Sequence, residues 1–315
     1  MPIRRVDIGE AFVLTINTNI ISDHEGFPSG SAVDTFVLPP GNIGIGTFNY
    51  TVDWGDGVVE AFADNAERTH IYSIPGIYDV AIEGTFPSIK FDFNGYFYSG
   101  GDCRKVTRVQ IGDVGWLSLY RAFNGCHNLV EVYGFAETST VSNMSGMFGQ
   151  CFNLSSTIPM IYTNGCTDLS YMFANCYLFN ASVIHFNTSN ASNMNYMFHR
   201  CYVFNQPVTY FDTQNVVQML GMFSWFVIDG HSPFQQSLAT FNMERVLNCN
   251  QLFYGIQDIG TANYDATLIS WAAQDLNNGL IVDFSESKYS AGAAAAARQH
   301  IIDIHGWTIV DGGQV

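Results

Sequence analysis

One short pattern recurs at a fixed interval through the middle of the chain. A Met-Phe pair appears every 25 residues, at Met147-Phe148, Met172-Phe173, Met197-Phe198 and Met222-Phe223. Three residues after each Phe lies a second column, formed by Cys126, Cys151, Cys176 and Cys201 and ending at Phe226. A period of this length is typical of a solenoid, whose units bury their apolar faces by stacking on one another.

The spacing inside a repeat predicts its local structure. Met194, Met197, Phe198 and Cys201 stand at i, i+3, i+4 and i+7, the apolar stripe of two helical turns, so we expect a short helix in each repeat. Residues 182–186 and 207–211 carry β-branched and aromatic side chains, and we expect them to form the strands that pair neighbouring repeats.

Composition limits the classes of partner. The 315 residues are too many for one ordinary core, which favours two domains or one domain plus an array. Only 12 basic residues oppose 28 acidic ones, giving a formal charge of −16. This balance argues against nucleic acid and anionic membrane as partners, because both require positive charge to replace counterions. No stretch is long and apolar enough to insert into a membrane.

The region before the repeats has the pattern of a β-domain. Short alternating segments separated by Gly, Pro and Asn run from residue 11 to about residue 90: AFVLTIN, DTFVLP, FNYTVDWGDG, IYDVAIEG and SIKFDFNG. Such spacing without a helical period predicts a β-sandwich. A Gly- and Tyr-rich stretch, 91–102, is then expected to be a hinge.

The motif W-G-D-G at 54–57, followed by H-x-Y at 70–72 and G-x-Y-x-V at 76–80, resembles the PKD-type immunoglobulin-like domain. The resemblance implies a β-sandwich used as a spacer or adhesion module. Asp53 and Asp56 are open to two interpretations: calcium ligands, or side chains that hydrogen-bond their own turn. His70 is expected to be packed or hydrogen-bonded.

The repeats themselves resemble a second family. The segment A-F-x-x-C-x-x-L-x-x-V at 122–132 has the pattern of BspA-like leucine-rich repeats, and the following units are similar to the Met-Phe variant of that family. After Phe253 the pattern ends; 264–272 and 291–304 are predicted helices, while 280–284 and 307–310 are predicted strands. This last part resembles the terminal module of BspA-like surface proteins.

We therefore predict a mainly β chain with short helices. Its parts are an N-terminal PKD/immunoglobulin-like β-sandwich over 1–100, a leucine-rich-repeat-type α/β solenoid over 101–260, and a C-terminal capping module over 261–315.

The cysteines and motifs give no sign of catalysis or cofactors. Four of the seven cysteines lie on the repeat lattice, where a column of free, buried thiols is favoured over disulfides because stacked Cβ directions are parallel. No GxSxG, HExxH or P-loop pattern occurs, and the glycines at 41–46 precede a strand where a phosphate loop would precede a helix. We expect a non-enzymatic protein with no cofactor and no metal.

Residues that recur on the outside of a repeat array are the candidate binding site. The residue before each strand aromatic is Met160, His185, Tyr210 or Thr240, which alternation would send outward. Tyr171 with Tyr196, and Tyr177 with Tyr202, also recur at the repeat spacing. These columns suit either a ligand surface or simple edge packing and solvated wall.

Two kinds of carrier, meaning the particle or cell whose surface displays the protein, fit these features. The first is a bacteriophage virion, with the chain as a spike, fibre or decoration protein, because the N-terminal residues show no secretion signal. The alternative is a bacterial cell-surface adhesin whose signal has been removed. In either case the expected partners are other proteins, such as virion components or a host surface protein, or a surface glycan, and a homo-oligomer stays open.

Overall fold

The computed structural model describes residues 11–20, 31–42, 44–91, 102–158, 161–225 and 233–315. The chain divides into two compact units, Met1–Tyr162 and Thr163–Val315, which are described separately below. The described residues are mainly β, with two short α-helices, both in the second unit. The division falls inside the segment predicted to form repeats.

The described residues of the first unit form eight strands. They are β1 (Phe12–Asn17), β2 (Thr35–Leu38), β3 (Asn49–Asp53), β4 (Val59–Phe62), β5 (Arg68–Ile71), β6 (Ile77–Thr85), β7 (Val106–Ile111) and β8 (Glu131–Gly134). Six of them form one sheet in the order β4-β3-β6-β1-β7-β8, while β2 and β5 pair separately. All pairs are antiparallel except β7 with β8.

The centre of the large sheet is its most apolar strand. β1 pairs on both sides, with β6 and with β7, and Phe12, Leu14 and Ile16 are fully buried. Phe12 lies 5.1 Å from Trp116 and 6.1 Å from Phe123 between ring centroids. The sheet therefore continues from the N-terminal strands into the first repeat strand, β7.

Four of the five segments predicted as N-terminal strands form strands, β1, β2, β3 and β6. The fifth, 88–95, contributes only a bridge from Ser88 to Ser118, and its residues after Phe91 lie outside the described part, as does most of the predicted hinge. The described residues of the first unit show a six-stranded and a two-stranded sheet; the arrangement of a PKD-type sandwich stays a prediction.

The repeats of the second unit are built from turns, and the predicted short helices are wrong in the described residues. Around each Met-Phe pair, alternate N–H groups bond in different directions. Tyr196, Phe198 and Arg200 donate to carbonyls of the next repeat at 2.8 to 2.9 Å. Between them, Met197, His199 and Cys201 donate to the carbonyl three residues back, at 3.1 to 3.3 Å. We call this arrangement the turn ladder.

Backbone conformation explains why a helix does not form. Tyr171, Asn175, Tyr196 and Arg200 have φ between 56° and 61°, a left-handed conformation that interrupts a right-handed helix. An α-helix would use its N–H groups within its own segment. The turn ladder instead uses every second N–H to join repeats, so the apolar spacing of i, i+3, i+4 and i+7 is produced by successive turns.

The predicted repeat strands are also wrong. Residues 182–186 and 207–211 form turns, closed by hydrogen bonds from Phe186 N to Val183 O at 3.1 Å and from Phe211 N to Val208 O at 3.0 Å. The β-type pairing between these repeats is found elsewhere, as parallel bridges that link Asp168 to Asn193, Asn193 to Gln218 and Gln218 to Asn248.

The end of the chain has the secondary structure that its sequence predicts. α1 (Thr261–Trp271), β9 (Ile281–Asp283), α2 (Ala293–His305) and β10 (Thr308–Val310) follow in order, and β9 and β10 pair in parallel. α2 ends at Gly306 in the left-handed conformation, a common helix stop.

Side chains after residue 260 complete the last turns of the array. Gln274 accepts from Met243 N at 2.6 Å and donates to Phe241 O at 2.9 Å, so one amide replaces a donor and an acceptor of a further repeat. Asn277 donates to the carbonyls of Glu244 and Val246. These bonds satisfy backbone groups that would otherwise be left open at the end of the array.

Candidate binding surface

Two interleaved stacks of phenylalanine fix the spacing of the repeats in the second unit. Phe173, Phe198, Phe223 and Phe253 follow one another at 5.7 to 5.8 Å between ring centroids, within 10° of parallel. Phe179 and Phe204 form the second stack, each 4.2 Å from a ring of the first. Because these rings are buried, the outward side chains of successive repeats recur at a constant interval.

The first predicted surface column is exposed. His185, Tyr210 and Thr240 are all exposed, Tyr210 to 60%. The reason given by the sequence was alternation along a strand, and this is wrong because the residues lie in turns. In each turn the following aromatic, such as Phe186 or Phe211, points into the core. Met160, the remaining member, lies outside the described residues.

The second predicted pair, Tyr171 and Tyr196, is stacked, with ring centroids 5.1 Å apart and 28° between the planes. Tyr171 is 46% exposed and Tyr196 is half-buried. In the next repeat Gly221 occupies the equivalent position, and a Cβ there would lie 2.4 Å from Cε1 of Tyr196. The absence of a side chain at Gly221 therefore leaves the space that the Tyr196 ring occupies.

Tyr196 also contacts a buried histidine. The His199 ring meets it edge-on at 5.4 Å, and Nδ1 of His199 lies 2.8 Å from Oγ of Ser224. Burial, together with the neighbouring Arg200 charge, lowers the pKa of His199 to about 4. This histidine is therefore neutral at pH 7 and holds neighbouring repeats together.

Sequence reasoning missed a column of buried threonines. The hydroxyls of Thr163, Thr188 and Thr213 donate to the carbonyls of Asn187, Asp212 and Asn242 in the following repeat at 2.8 to 3.0 Å. Each Thr is 1% exposed. Their recurrence at 25 residues was visible in the sequence, but which backbone group they meet depends on how repeats stack.

The W-G-D-G motif of the first unit is a structural turn. Oδ1 of Asp53 accepts from Gly55 N at 2.9 Å, and Oδ1 of Asp56 accepts from Val58 N at 3.1 Å. His70 stacks on Trp54 at 4.8 Å and its Nε2 lies 2.8 Å from Oδ2 of Asp56. The turn interpretation of both aspartates is confirmed, and so is the packed, hydrogen-bonded role of His70.

All seven cysteines are free and buried. Sγ of Cys151 donates to Phe123 O at 3.2 Å, and Sγ of Cys201 donates to Phe173 O at 3.0 Å. Burial raises the pKa of Cys126 and Cys201 well above the usual thiol value. The prediction that these cysteines are reduced and buried is confirmed, and the raised pKa makes Cys126 and Cys201 poor nucleophiles.

Each unit contains a buried charged side chain that is paired with other side chains. In the first unit, Nζ of Lys105 lies 3.6 Å from Oδ2 of Asp102, and both side chains are almost fully buried. In the second, Arg298 donates to Asp311 at 2.7 Å and the hydroxyl of Tyr264 donates to the same carboxylate at 2.6 Å. Each group is held by its partners, which is the condition for burying a charge.

The described ranges contain neither a metal-binding cluster nor a membrane-spanning helix. No cluster of three or more His, Cys, Asp or Glu side chains there has the geometry to hold a metal ion. Within the same ranges no helix has the length and apolar character needed to cross a bilayer.

Comparison with known proteins adds one finding. A family model described as "Mycoplasma protein of unknown function, DUF285" matches residues 117–226 and 211–279, slightly more than half of the chain. The two matches overlap, as expected when one pattern is repeated. No curated protein and no solved structure matches the chain.

Proposed function

This chain belongs to the DUF285 family, and from its repeats and exposed columns we propose that it is a non-enzymatic structural and binding protein displayed on a surface. The observation that carries the proposal is the column of His185, Tyr210 and Thr240, exposed side chains at equivalent positions of three repeats. A partner that contacts one of these side chains contacts the others in the same geometry. The binding free energies of several weak contacts therefore add.

The architecture proposed for this role is a BspA-like solenoid preceded by a PKD-type domain. The inter-repeat hydrogen bonds and parallel bridges of the second unit support stacking of 25-residue units. The stacked Trp54 and His70, with the Asp53 and Asp56 turn, support the PKD resemblance. In this view the N-terminal sheet is a spacer or adhesion module and the repeats present the binding wall.

The partner proposed is another protein or a surface glycan. Tyr210 offers an aromatic ring that is 60% exposed, and aromatic side chains of this kind contribute strongly to binding. The net charge of −16 argues against nucleic acid and anionic lipid.

Two carriers are proposed, a virion and a bacterial cell surface. The description of the matching family as a Mycoplasma protein supports a bacterial carrier over a virion. Mass spectrometry of purified virions, and surface biotinylation of intact cells that express the gene, separate them. The chain should be found in one of these fractions; its recovery only from lysed cells would overturn surface display.

The binding site is tested by changing His185→Ala and Tyr210→Ala together and measuring attachment to the carrier's target surface. Attachment should be lost while the melting temperature stays nearly constant, because both side chains are exposed. Leu247→Ala with Ile269→Ala, which are 58% and 45% exposed elsewhere in the second unit, is the matched control. Unaltered attachment of the His185/Tyr210 variant would move the site away from this column.

A further inference from the structure

A second strip of the second unit is uncharged and regular, with three exposed and three partly exposed residues. In one repeat Tyr177, Leu178 and Asn180 follow the buried Cys176, and in the next Tyr202, Val203 and Asn205 follow Cys201. We call these six residues the amide strip. Leu178 is 49% and Val203 is 39% exposed, and both lie at the tips of turns.

The tyrosines of the amide strip are stacked almost perfectly. Their ring centroids are 4.5 Å apart and their planes differ by 2°. The aromatic, the aliphatic and the amide residue of one repeat are thus followed by the same three types in the next repeat. This forms three short parallel rows that run along the stacking direction.

The amide row uses its oxygens, and not its NH2 groups, in hydrogen bonds between described residues. Oδ1 of Asn180 accepts from Asn205 N at 2.9 Å and from Nε2 of Gln206 at 3.1 Å. Oδ1 of Asn205 accepts from Gln235 N at 2.9 Å and from Nε2 of Gln236 at 2.8 Å. The oxygens are therefore used inside the ladder, while neither Nδ2 group donates a hydrogen bond to a described residue. Each repeat offers one NH2 group to a ligand.

Charge restricts the ligand class further. From Leu169 to Phe211 the sequence contains a single residue of the Asp, Glu, Lys and Arg group, Arg200. A polyanion would find too few cations here in a protein whose net charge is −16, and a polycation would find no carboxylate on the strip. The complementary ligand is a neutral chain rich in oxygen acceptors, with apolar faces that can cover Leu178 and Val203.

Spacing separates a glycan from a peptide. Equivalent rings of successive repeats lie 4.5 Å apart at Tyr177 and Tyr202 and 5.7 to 5.8 Å apart in the phenylalanine stack, whereas an extended peptide repeats its side-chain direction only every second residue, after about 6.6 Å. A peptide therefore loses register with the rows after one repeat. A linear polysaccharide advances by one hexose ring per unit, a length comparable to the spacing of these rings, and therefore presents one sugar unit to each repeat.

We propose that the amide strip binds a neutral, linear polysaccharide, one sugar unit to each repeat. This inference rests on the proposed surface-binding function and adds to it a ligand class and a second site, separate in sequence position from the His185 column.

The test is calorimetric titration of the full chain with cello- and chito-oligosaccharides from disaccharide to hexasaccharide. Affinity should increase with length and be insensitive to salt. Oligouronates and an uncharged extended peptide should not bind. Failure of every neutral oligosaccharide to bind, or tighter binding of the charged or peptide probes, would overturn the assignment.

The decisive variant is Asn180→Asp with Asn205→Asp. Each carboxylate keeps the acceptor oxygen of the ladder but loses the outward NH2, so binding should weaken by about tenfold or more at an unchanged melting temperature. Leu178→Ser with Val203→Ser, at the turn tips, should independently weaken oligosaccharide binding. This second variant replaces the first if the first is unstable.

A charge-matched control distinguishes the two sites. Asn187→Asp with Asn242→Asp adds the same charge beside the His185 column, and both oxygens keep their bonds to Ser189 N and Glu244 N. This control should bind like the parent chain. If it loses binding while the amide-strip variant keeps it, the amide-strip assignment is wrong and the proposed function stands with its site at His185.

Discussion

The large sheet of the first unit and the turn ladder of the second unit use their backbone groups differently. β1 and β6 pair over six consecutive residues, from Phe12 with Ile82 to Asn17 with Ile77. In the turn ladder, only alternate residues such as Tyr196 and Phe198 pair with the next repeat. The N–H groups between them close local turns. A repeat can therefore be short and still join its neighbour through several bonds, but its stability depends more heavily on the side chains that stack between repeats.

The largest effect is expected when a ring of the turn ladder is removed. Phe198 lies between Phe173 and Phe223 and is 2% exposed, so Phe198→Ala should cost roughly 3 to 5 kcal/mol. Urea denaturation measures it. Phe135→Ala, at a ring that is 50% exposed in the first unit, should cost less than about 1 kcal/mol. A similarly small loss of unfolding free energy for Phe198→Ala would show that the stacked rings do not stabilise the array.

The next effect tests close packing across repeats. Gly221 has φ of 57° and a Cβ there would lie 2.4 Å from the Tyr196 ring, so Gly221→Ala should cost about 2 to 3 kcal/mol. Gly279 has φ of 74° with open space around it, and Gly279→Ala should show only the backbone cost of about 1 kcal/mol. Equal losses of unfolding free energy would mean that the Tyr196 ring yields without cost.

Lowering the pH should destabilise the two regions over different pH ranges. The pKa of His199 is lowered to about 4, so the unfolded chain binds its proton more readily and stability falls by about 2 kcal/mol as pH decreases from 6.5 to 4. His199→Gln should remove that slope in urea denaturation at each pH. Retention of the slope in the variant would place its origin elsewhere.

In the first unit the corresponding pH dependence begins lower. Burial opposes ionisation of Asp56, but hydrogen bonds from His70 and from Val58 N outweigh it and hold the pKa below its usual value. A carboxylate with a lowered pKa stabilises the fold at neutral pH and loses that contribution only as pH falls below about 4. Asp56→Asn should therefore alter the denaturation profile of the parent chain below pH 4 and leave the step between 6.5 and 4 intact.

A smaller effect tests the threonine column. Thr188→Val keeps the shape of the side chain but removes the hydroxyl that donates to Asp212 O at 2.9 Å, and should cost about 1 kcal/mol. Thr209→Val, at an exposed position of the same unit, is the control and should change the unfolding free energy by less than about 0.5 kcal/mol. If the two variants are equally stable, the column contributes nothing measurable.

The smallest effect is expected at the thiols. Cys126, Cys151, Cys176 and Cys201 are buried, so iodoacetamide should leave them unmodified in the native chain and modify them in urea, as read by mass spectrometry. Fast native labelling of Cys176 would contradict its place in the array.

Local chemistry was predictable from the sequence, and pairing between distant residues was not. The Asp-Gly turn after Trp54 and the helices α1 and α2 were predicted because each is determined by neighbouring residues. The Met-Phe stripe was interpreted as helix because turns and helices both place apolar residues at i, i+3 and i+4. Gly146, Tyr171, Tyr196 and Gly221 hold the same position of four repeats and all have positive φ, but at the two tyrosines no sequence signal indicates this conformation.

The candidate surface shows the same limit. Exposure of His185 and Tyr210 was predicted from alternation along a strand, but the residues lie in turns and are exposed because the following aromatic in each turn is the buried one. The outward amides of Asn180 and Asn205 could not be identified, because their orientation is set by backbone groups one repeat away. Side chains that depend on stacking become visible only when the stacking is known.

The way in which the C-terminal residues complete the array has a consequence for how such genes lengthen. Gln274 and Asn277 are matched to the carbonyls and N–H groups of the turns at 241–246, not to a generic repeat. A copy of a repeat inserted after these turns would separate the two sets of partners. Duplication of a 25-residue unit between Val141 and Phe223 would preserve them, so variation in array length among relatives should be concentrated there, with the junction before residue 261 left unchanged.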